Sequence, residues 1–200
     1  RKTPLMYAAF LGNIELLRFI ILKGADYNAK NKYNNSVLTY AVASGNEDIQ
    51  KVLKRKGAIL IRSSRFKDNG DGTLTDTTTG LMWEKKLSTE CNRTWHDAIK
   101  FAKDSRLAGY KNWRLPTIDE FKILLKGHLY DDVQQGEEEP YIWLNCNGFI
   151  KLPPNWFWSS SGNNEDYRYV WTVSMVGREI VYSSKDDNSG SCVLCVRNMN

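Results

Sequence analysis

Residues 3–25 read TPLMYAAFLGNIELLRFIILKGA, and residues 36–58 read SVLTYAVASGNEDIQKVLKRKGA. The two stretches align without a gap at an offset of 33 residues. Residues shared at this offset are Leu5 and Leu38, Ala8 and Ala41, Gly12-Asn13 and Gly45-Asn46, and Gly24-Ala25 and Gly57-Ala58. Self-similarity at this period indicates a structural unit that stacks on copies of itself.

Each copy contains the signals of two short helices. Thr3 is an N-cap residue, and Pro4 suits the first position of a helix. Gly12 turns the chain, and Gly24 supplies the left-handed residue that ends the second helix. The buried face of that second helix is predicted to contain Ile14, Leu16, Leu17, Ile20 and Ile21.

This pattern resembles the ankyrin repeat family, although Tyr7 stands where the usual histidine lies and Val37 replaces the proline of the second unit. The resemblance implies a protein-binding scaffold. Because two repeats bury too little surface alone, we expect either further repeats before Arg1 or a cap formed by the next domain. The apolar run Ile59–Ile61 either docks the repeats onto that domain or begins its first strand.

Charge changes sign along the chain. Residues 1–67 contain 13 Lys and Arg against 4 Asp and Glu, whereas residues 68–200 contain 15 against 19. The change predicts two domains, over residues 1–60 and 61–200. The basic half suits an acidic partner, a nucleic acid or an ordinary solvated surface, of which we favour the last. Lys54–Lys56 also suit the end of a helix. We predict no nucleic-acid partner.

The second domain has an α+β order of elements. The Asn-Gly and Asp-Gly pairs in residues 67–74 predict a hairpin, and a strand follows at Gly80–Trp83. Thr94 and Thr117 cap two amphipathic helices. A long, partly acidic loop is predicted over residues 129–155, followed by short strands between Trp156 and Arg197.

Several motifs of this region are similar to the Lcl C-terminal-type domain, a bacterial family. They are Arg65–Thr73, Asp76, Thr79–Trp83, Thr94-Trp95, Ala98, Trp113–Thr117, Glu120, Phe157–Ser161, Trp171 and Cys195–Arg197. The resemblance covers residues 62–200 and implies a C-type-lectin-like fold, with the ligand on a loop-and-strand face in the C-terminal half. It also favours a secreted or cell-envelope location.

Metal and disulfide chemistry receive little support from the sequence. The turn after Asp68 lacks the ligand spacing of a calcium loop, so a plain hairpin is the better interpretation. The acidic residues Asp131, Asp132 and Glu137–Glu139 either gather an ion or form a solvated loop.

Strand residues between Cys192 and Cys195 would point the two thiols to opposite faces. A disulfide such as Cys91–Cys146 is possible, but connectivity stays open.

The chain contains no recognisable catalytic motif, and His96 is predicted on the surface of a helix. We therefore predict a protein that is not an enzyme, with no metal and no cofactor. No run of eighteen apolar residues occurs, so no membrane span is predicted.

The predicted ligand-binding surface lies on the C-terminal strands and loops, which are rich in residues of adaptable binding surfaces. Its residues are Asn163, Asn164, Asp166, Tyr167, Tyr169, Arg178, Tyr182, Ser184, Asp186 and Asn188. In contrast, Trp156, Trp158 and Trp171 are predicted to pack in the core.

These features predict a recognition protein that contacts a protein partner. One alternative is calcium-independent binding of a glycan or glycosaminoglycan. Another is a variable receptor diversified by a retroelement, which would require a neighbouring reverse transcriptase and a template repeat that matches residues near 159–197.

Overall fold

The computed structural model describes residues 2–61, 64–88, 91–129, 139–187 and 190–199. The chain divides into two compact units. Unit 1 contains Arg1–Ser64 and Ile142–Lys151, and unit 2 contains Arg65–Tyr141 and Leu152–Asn200. Within the described ranges, no helix combines the length and the apolar character needed to cross a bilayer.

The repeats of unit 1 fold as two helical pairs, as predicted. The helices are α1 (Pro4–Phe10), α2 (Ile14–Leu22), α3 (Val37–Ser44) and α4 (Glu47–Arg55). The hydroxyl of Thr3 accepts the backbone N–H of Met6, and Asn13 Oδ1 accepts that of Leu16 at 2.9 Å. Ser36 and Asn46 cap α3 and α4 at the equivalent positions, so both copies of the repeat begin their helices in the same way.

The first helices of the two repeats pack side by side through small and apolar residues. Ala8 and Ala41 are fully buried, which permits close approach of the backbones. Phe10 contacts Tyr40 edge to face, with ring centroids 6.5 Å apart. Asn31 donates a 2.8 Å hydrogen bond to the Tyr40 hydroxyl, so this buried polar group has a partner.

The segment Ile59–Ile61 is not a strand, and its carbonyls are bound within unit 1. The Ser36 hydroxyl donates to the carbonyl of Ile59 at 2.6 Å, and the Thr39 hydroxyl donates to that of Ile61 at 2.7 Å. The prediction that these residues begin a strand of the second domain is wrong, because the first strand begins only at Phe66.

The predicted loop over residues 129–155 contains a helix, α7 (Pro140–Cys146). Proline suits the first helical position, and the apolar residues after it are buried; these include Ile142, Trp143 and Leu144. The structure also groups Ile142–Lys151 with unit 1, whereas the predicted boundary places these residues in the second domain.

Unit 2 contains two antiparallel sheets. One has the order β1 (Phe66–Asp68), β2 (Thr73–Asp76), β3 (Leu81–Glu84) and β7 (Val196–Asn198). The other has the order β4 (Trp156–Gly162), β5 (Tyr169–Ser174) and β6 (Ile180–Ser184). The predicted hairpin is confirmed, since β1 and β2 pair antiparallel around Gly70 and Gly72, which both have positive φ.

The two predicted helices of unit 2 are confirmed as α5 (Trp95–Asp104) and α6 (Ile118–Leu124). Thr94 caps α5, and Thr117 and Glu120 form a capping box at α6. A shared core lies between α5 and both sheets. Its buried members are Met82, Ala98, Ala102, Trp113, Leu115, Trp158, Val170, Val193 and Cys195.

Candidate functional site

Strands β5 and β6 present aromatic side chains on the side of their sheet opposite to the core. Val170 packs in the core, whereas its neighbours Tyr169 and Trp171 point to the other side. Trp171 is paired with Tyr182 across the strands, with ring centroids 3.7 Å apart and planes inclined by 31°. Tyr182 is 44% exposed and Tyr169 is 37% exposed. We call Tyr169, Trp171 and Tyr182 the aromatic face.

The loop between β4 and β5 is shaped by its own hydrogen bonds. Arg168 donates to both carboxylate oxygens of Asp166, at 3.0 Å through Nε and 2.7 Å through Nη2. These side-chain hydrogen bonds are the main reason why the pKa of Asp166 is lowered. The backbone N–H of Lys185 donates to the carbonyl of Arg168 at 3.0 Å, which ties the loop to the end of β6.

The structure brings most predicted site residues to one end of this sheet, because Tyr169 lies opposite Ser184 in the strand register. This group contains Asn163, Asn164, Asp166, Tyr167, Tyr169, Tyr182, Ser184 and Asp186. Arg178 lies in the hairpin between β5 and β6, at the other end of the strands, so it does not join the group. Asn188 lies outside the described residues.

The prediction of a tryptophan core holds only for Trp158. Its side chain is fully buried, and its Nε1–H donates to the carbonyl of Arg93 at 2.9 Å. Trp156 and Trp171 are only partly buried. Trp171 is therefore a candidate site residue that the sequence analysis missed, and the alternation Tyr169–Val170–Trp171 was the available signal.

The suggested Cys91–Cys146 disulfide is wrong. Cys91 is bonded to Cys192, whereas Cys146 is a buried cysteine of unit 1 outside this disulfide. The reason is a contact distant in sequence, in which the Asn92 N–H donates to the Ser191 carbonyl at 3.1 Å and aligns the two segments. The predicted strand through the last two cysteines is also wrong, since β7 begins at Val196 and Cys192 forms only an isolated bridge.

Cys195 is a free cysteine that lies beside a buried carboxyl group, Glu84. The Cys195 N–H donates to Glu84 Oε2 at 3.1 Å, and the Ser88 N–H and hydroxyl donate to Oε1. Burial raises the pKa of Glu84. Burial, and secondarily the nearby Glu84, raises the pKa of the Cys195 thiol far above its ordinary range. A buried thiol that stays protonated is a poor nucleophile.

Acidic and histidine side chains in the described ranges do not form a metal cluster of three or more ligands. In the β1–β2 turn, Asp68 and Asp71 accept the backbone N–H groups of Gly70 and Thr73, each at 3.1 Å. Their carboxylates therefore stabilise the turn through these hydrogen bonds. Of the acidic loop considered for an ion, Asp131, Asp132 and Glu137-Glu138 lie outside the described residues. His96 is exposed and contacts the ring of Trp95.

Unit 1 carries a small apolar pocket of about 200 Å³ between α2 and α4. Ile21, Leu22 and Val52 line it, together with Arg18 and Lys56. Leu22 is 85% exposed, and Phe19 on the same helix is 57% exposed. Exposed apolar side chains that gather on one surface mark a candidate site of contact with another protein.

Each of the two units contains a match to a known protein family. Residues 5–53 match the family described as ankyrin repeats (many copies), and residues 72–197 match the family described as Lcl C-terminal domain. No curated protein matches the chain. The ankyrin match suggests protein–protein interaction, and the Lcl match suggests a binding role. Since the second match covers more than half of the sequence, the chain belongs to the Lcl C-terminal domain family.

Proposed function

We propose that this is a non-enzymatic recognition protein whose unit 1 binds a protein partner through the helices of its repeats. The observation that carries the proposal is the apolar pocket between α2 and α4, whose lining includes the exposed Leu22, with Phe19 exposed three residues earlier on α2. Exposed leucine and phenylalanine side chains gain free energy when a partner removes them from water. Arg18 and Lys56 next to the pocket add electrostatic steering.

A photo-crosslinking experiment tests this proposal. Phe19 is replaced by benzoylphenylalanine in the full chain, and adducts are identified by mass spectrometry after irradiation in extract from the source cells. We expect a specific protein adduct that an excess of unlabelled chain competes away. The variant Leu22→Ser should compete about tenfold more weakly, because it removes a large apolar contact from the proposed interface.

The matched control carries benzoylphenylalanine at Lys30, an exposed residue of unit 1 that does not line the pocket. It should give no competed adduct. Adducts that are equal at both positions, or equal competition by the Leu22→Ser chain, would contradict the proposal.

For unit 2, the C-type-lectin-like fold remains our proposal, and the arrangement of its strands supports it. The closing strand β7 pairs with β3, so the two ends of the unit meet in one sheet. The other sheet carries the aromatic face and the loop that contains Asp166. From the family resemblance, we propose that a ligand binds on this loop-and-strand face.

A second candidate function is calcium-independent glycan binding by the aromatic face. The stacked Trp171 and Tyr182 rings favour it, since flat aromatic surfaces suit the apolar faces of sugar rings. Asn164, which is exposed in the adjacent loop, offers an amide for hydrogen bonds to hydroxyl groups.

A glycan array probed in EDTA tests this second function. We expect calcium-independent binding that falls about tenfold in Tyr182→Ala, because the exposed part of the ring stack is removed. Tyr7→Ala, which removes an exposed tyrosine of unit 1, should bind as the unaltered chain does. Complete absence of binding in EDTA would dismiss the glycan hypothesis.

We further propose that the protein works outside the reducing cytosol, in the cell envelope or after secretion. The Cys91–Cys192 disulfide supports this location, since structural disulfides persist mainly in oxidising compartments.

A further inference from the structure

Unit 1 has another pocket, at the N-terminal part of α4, with a volume of about 390 Å³. Its lining residues are Gly45, Glu47, Gln50, Lys51, Lys54 and Lys151. Three lysines and one glutamate thus contribute to the lining of this cavity. We call this the lysine pocket.

Helix α4 places Lys51 and Lys54 on the same side, because residues three apart are neighbours on a helix surface. Lys51 lies 3.6 Å from Asp48, and both side chains of that pair are well exposed, so water screens the interaction. Within the part of the chain that the structure describes, neither Lys54 nor Lys151 forms an ion pair. Their charges remain available to an incoming anion.

Lys151 lies at the pocket with an unusual backbone conformation and with its side chain close to a glycine. Its φ is +51°, a left-handed conformation that is uncommon for residues other than glycine. Its side chain crosses Gly45, the C-cap of α3, where a Cβ atom would overlap the Cε atom of Lys151. Glycine at position 45 therefore leaves the space that the lysine stem occupies.

We propose that the lysine pocket binds carboxylate groups of an acidic peptide segment in the protein partner. This inference rests on the proposed protein binding by unit 1 and adds a site distinct from the α2–α4 pocket. Ammonium groups are point charges on flexible stems, so they accept carboxylates at varied angles. The basic charge of residues 1–67 would attract such a segment from a distance.

Fluorescence anisotropy of labelled hexaglutamate with the full chain tests the proposal. We expect binding that weakens as salt concentration rises. The double variant Lys54→Ala/Lys151→Gly should weaken it about five- to tenfold, since two of three cations are lost. Glycine at position 151 tolerates the positive φ. The matched control Lys30→Ala/Lys103→Ala removes two exposed lysines elsewhere and should change affinity less than about twofold by long-range charge alone.

A variant that is expected to tighten binding distinguishes the loss of charge from a folding defect, because a misfolded chain would not bind more tightly. Glu47→Gln removes the carboxylate that the described residues contribute to the lining, and it should tighten hexaglutamate binding about twofold. No binding of hexaglutamate, or equal weakening by both double variants, would overturn the proposal. The proposal would also be overturned if a heparin hexasaccharide bound more tightly than hexaglutamate and depended equally on Lys54 and Lys151. The crosslinking at position 19 tests the other pocket. If that experiment succeeds and the hexaglutamate experiment fails, only the proposal for the lysine pocket is rejected.

Discussion

Replacing Arg65 by methionine is expected to lower the free energy of unfolding of unit 2 by about 3–5 kcal/mol at pH 7. Arg65 binds the carboxylate of Asp76 through two hydrogen bonds, of 2.9 and 2.7 Å. It also donates to the carbonyls of Ile123 and Leu124 at the end of α6, at 3.1 Å each. The Asp76 side chain has no exposed surface, so the variant leaves a buried carboxylate without its cation.

The pH dependence of this loss identifies its cause. Burial opposes ionisation of Asp76, but hydrogen bonds from Arg65 and Thr78 outweigh burial and lower its pKa. A lowered pKa stabilises the fold above the unfolded-state pKa of about 3.9, and this stabilisation is lost as pH falls through the folded-state pKa. The deficit of Arg65→Met should therefore shrink as pH falls below about 4 and through the lowered folded-state pKa of Asp76, where the carboxyl group becomes neutral.

Urea denaturation followed by tryptophan fluorescence measures the effect, since Trp83, Trp113 and Trp158 are buried in unit 2. Arg106→Met is the matched control, because Arg106 binds only nearby backbone carbonyls and is exposed. Its cost should stay below about 1 kcal/mol. Equal losses in the two variants, or a deficit that does not change with pH, would refute the assigned role of the Arg65–Asp76 pair.

The double variant Cys91→Ala/Cys192→Ala is expected to lose about 4–5 kcal/mol of stability in unit 2. The disulfide joins residues 101 positions apart, so it removes a large amount of loop-closure entropy from the unfolded chain. It also secures the segment before α5 beside the segment that leads into β7.

Reducing agent supplies the control for this prediction. Dithiothreitol should lower the urea midpoint of the unaltered chain toward that of the double variant, and it should leave the double variant unchanged. Because the other cysteines, Cys146 and Cys195, are present in both proteins, they do not contribute to the difference. A double variant as stable as the unaltered chain would show that the disulfide has no stabilising role.

Local signals were sufficient for the helices of the repeats and for α5 and α6. The capping groups of Thr3, Thr94 and Thr117 bind backbone N–H groups only three residues away, so neighbouring residues decide where these helices begin. The hairpin of β1 and β2 likewise depends on a turn of adjacent Asn-Gly and Asp-Gly pairs. The offset of 33 residues was equally visible in the sequence.

The candidate site was only partly predictable. Tyrosine and asparagine composition indicated the loop and strands around Tyr169 and Tyr182, but it did not reveal that Arg178 lies at the opposite end of β5 and β6. Trp171 was assigned to the core because tryptophan usually packs there. Its stack on Tyr182 depends on the register between two strands, which no single segment encodes.

By itself, the sequence determined the repeats, the capped helices and the family, because each depends on residue types at short or regular spacing. Only the tertiary structure decided that Cys91 pairs with Cys192, that Trp171 joins the aromatic face, and that Lys151 lies across Gly45. These contacts join residues far apart in the chain. The packing of each folded unit selects the partners of these residues. Periodicity and local capping signals do not predict that packing.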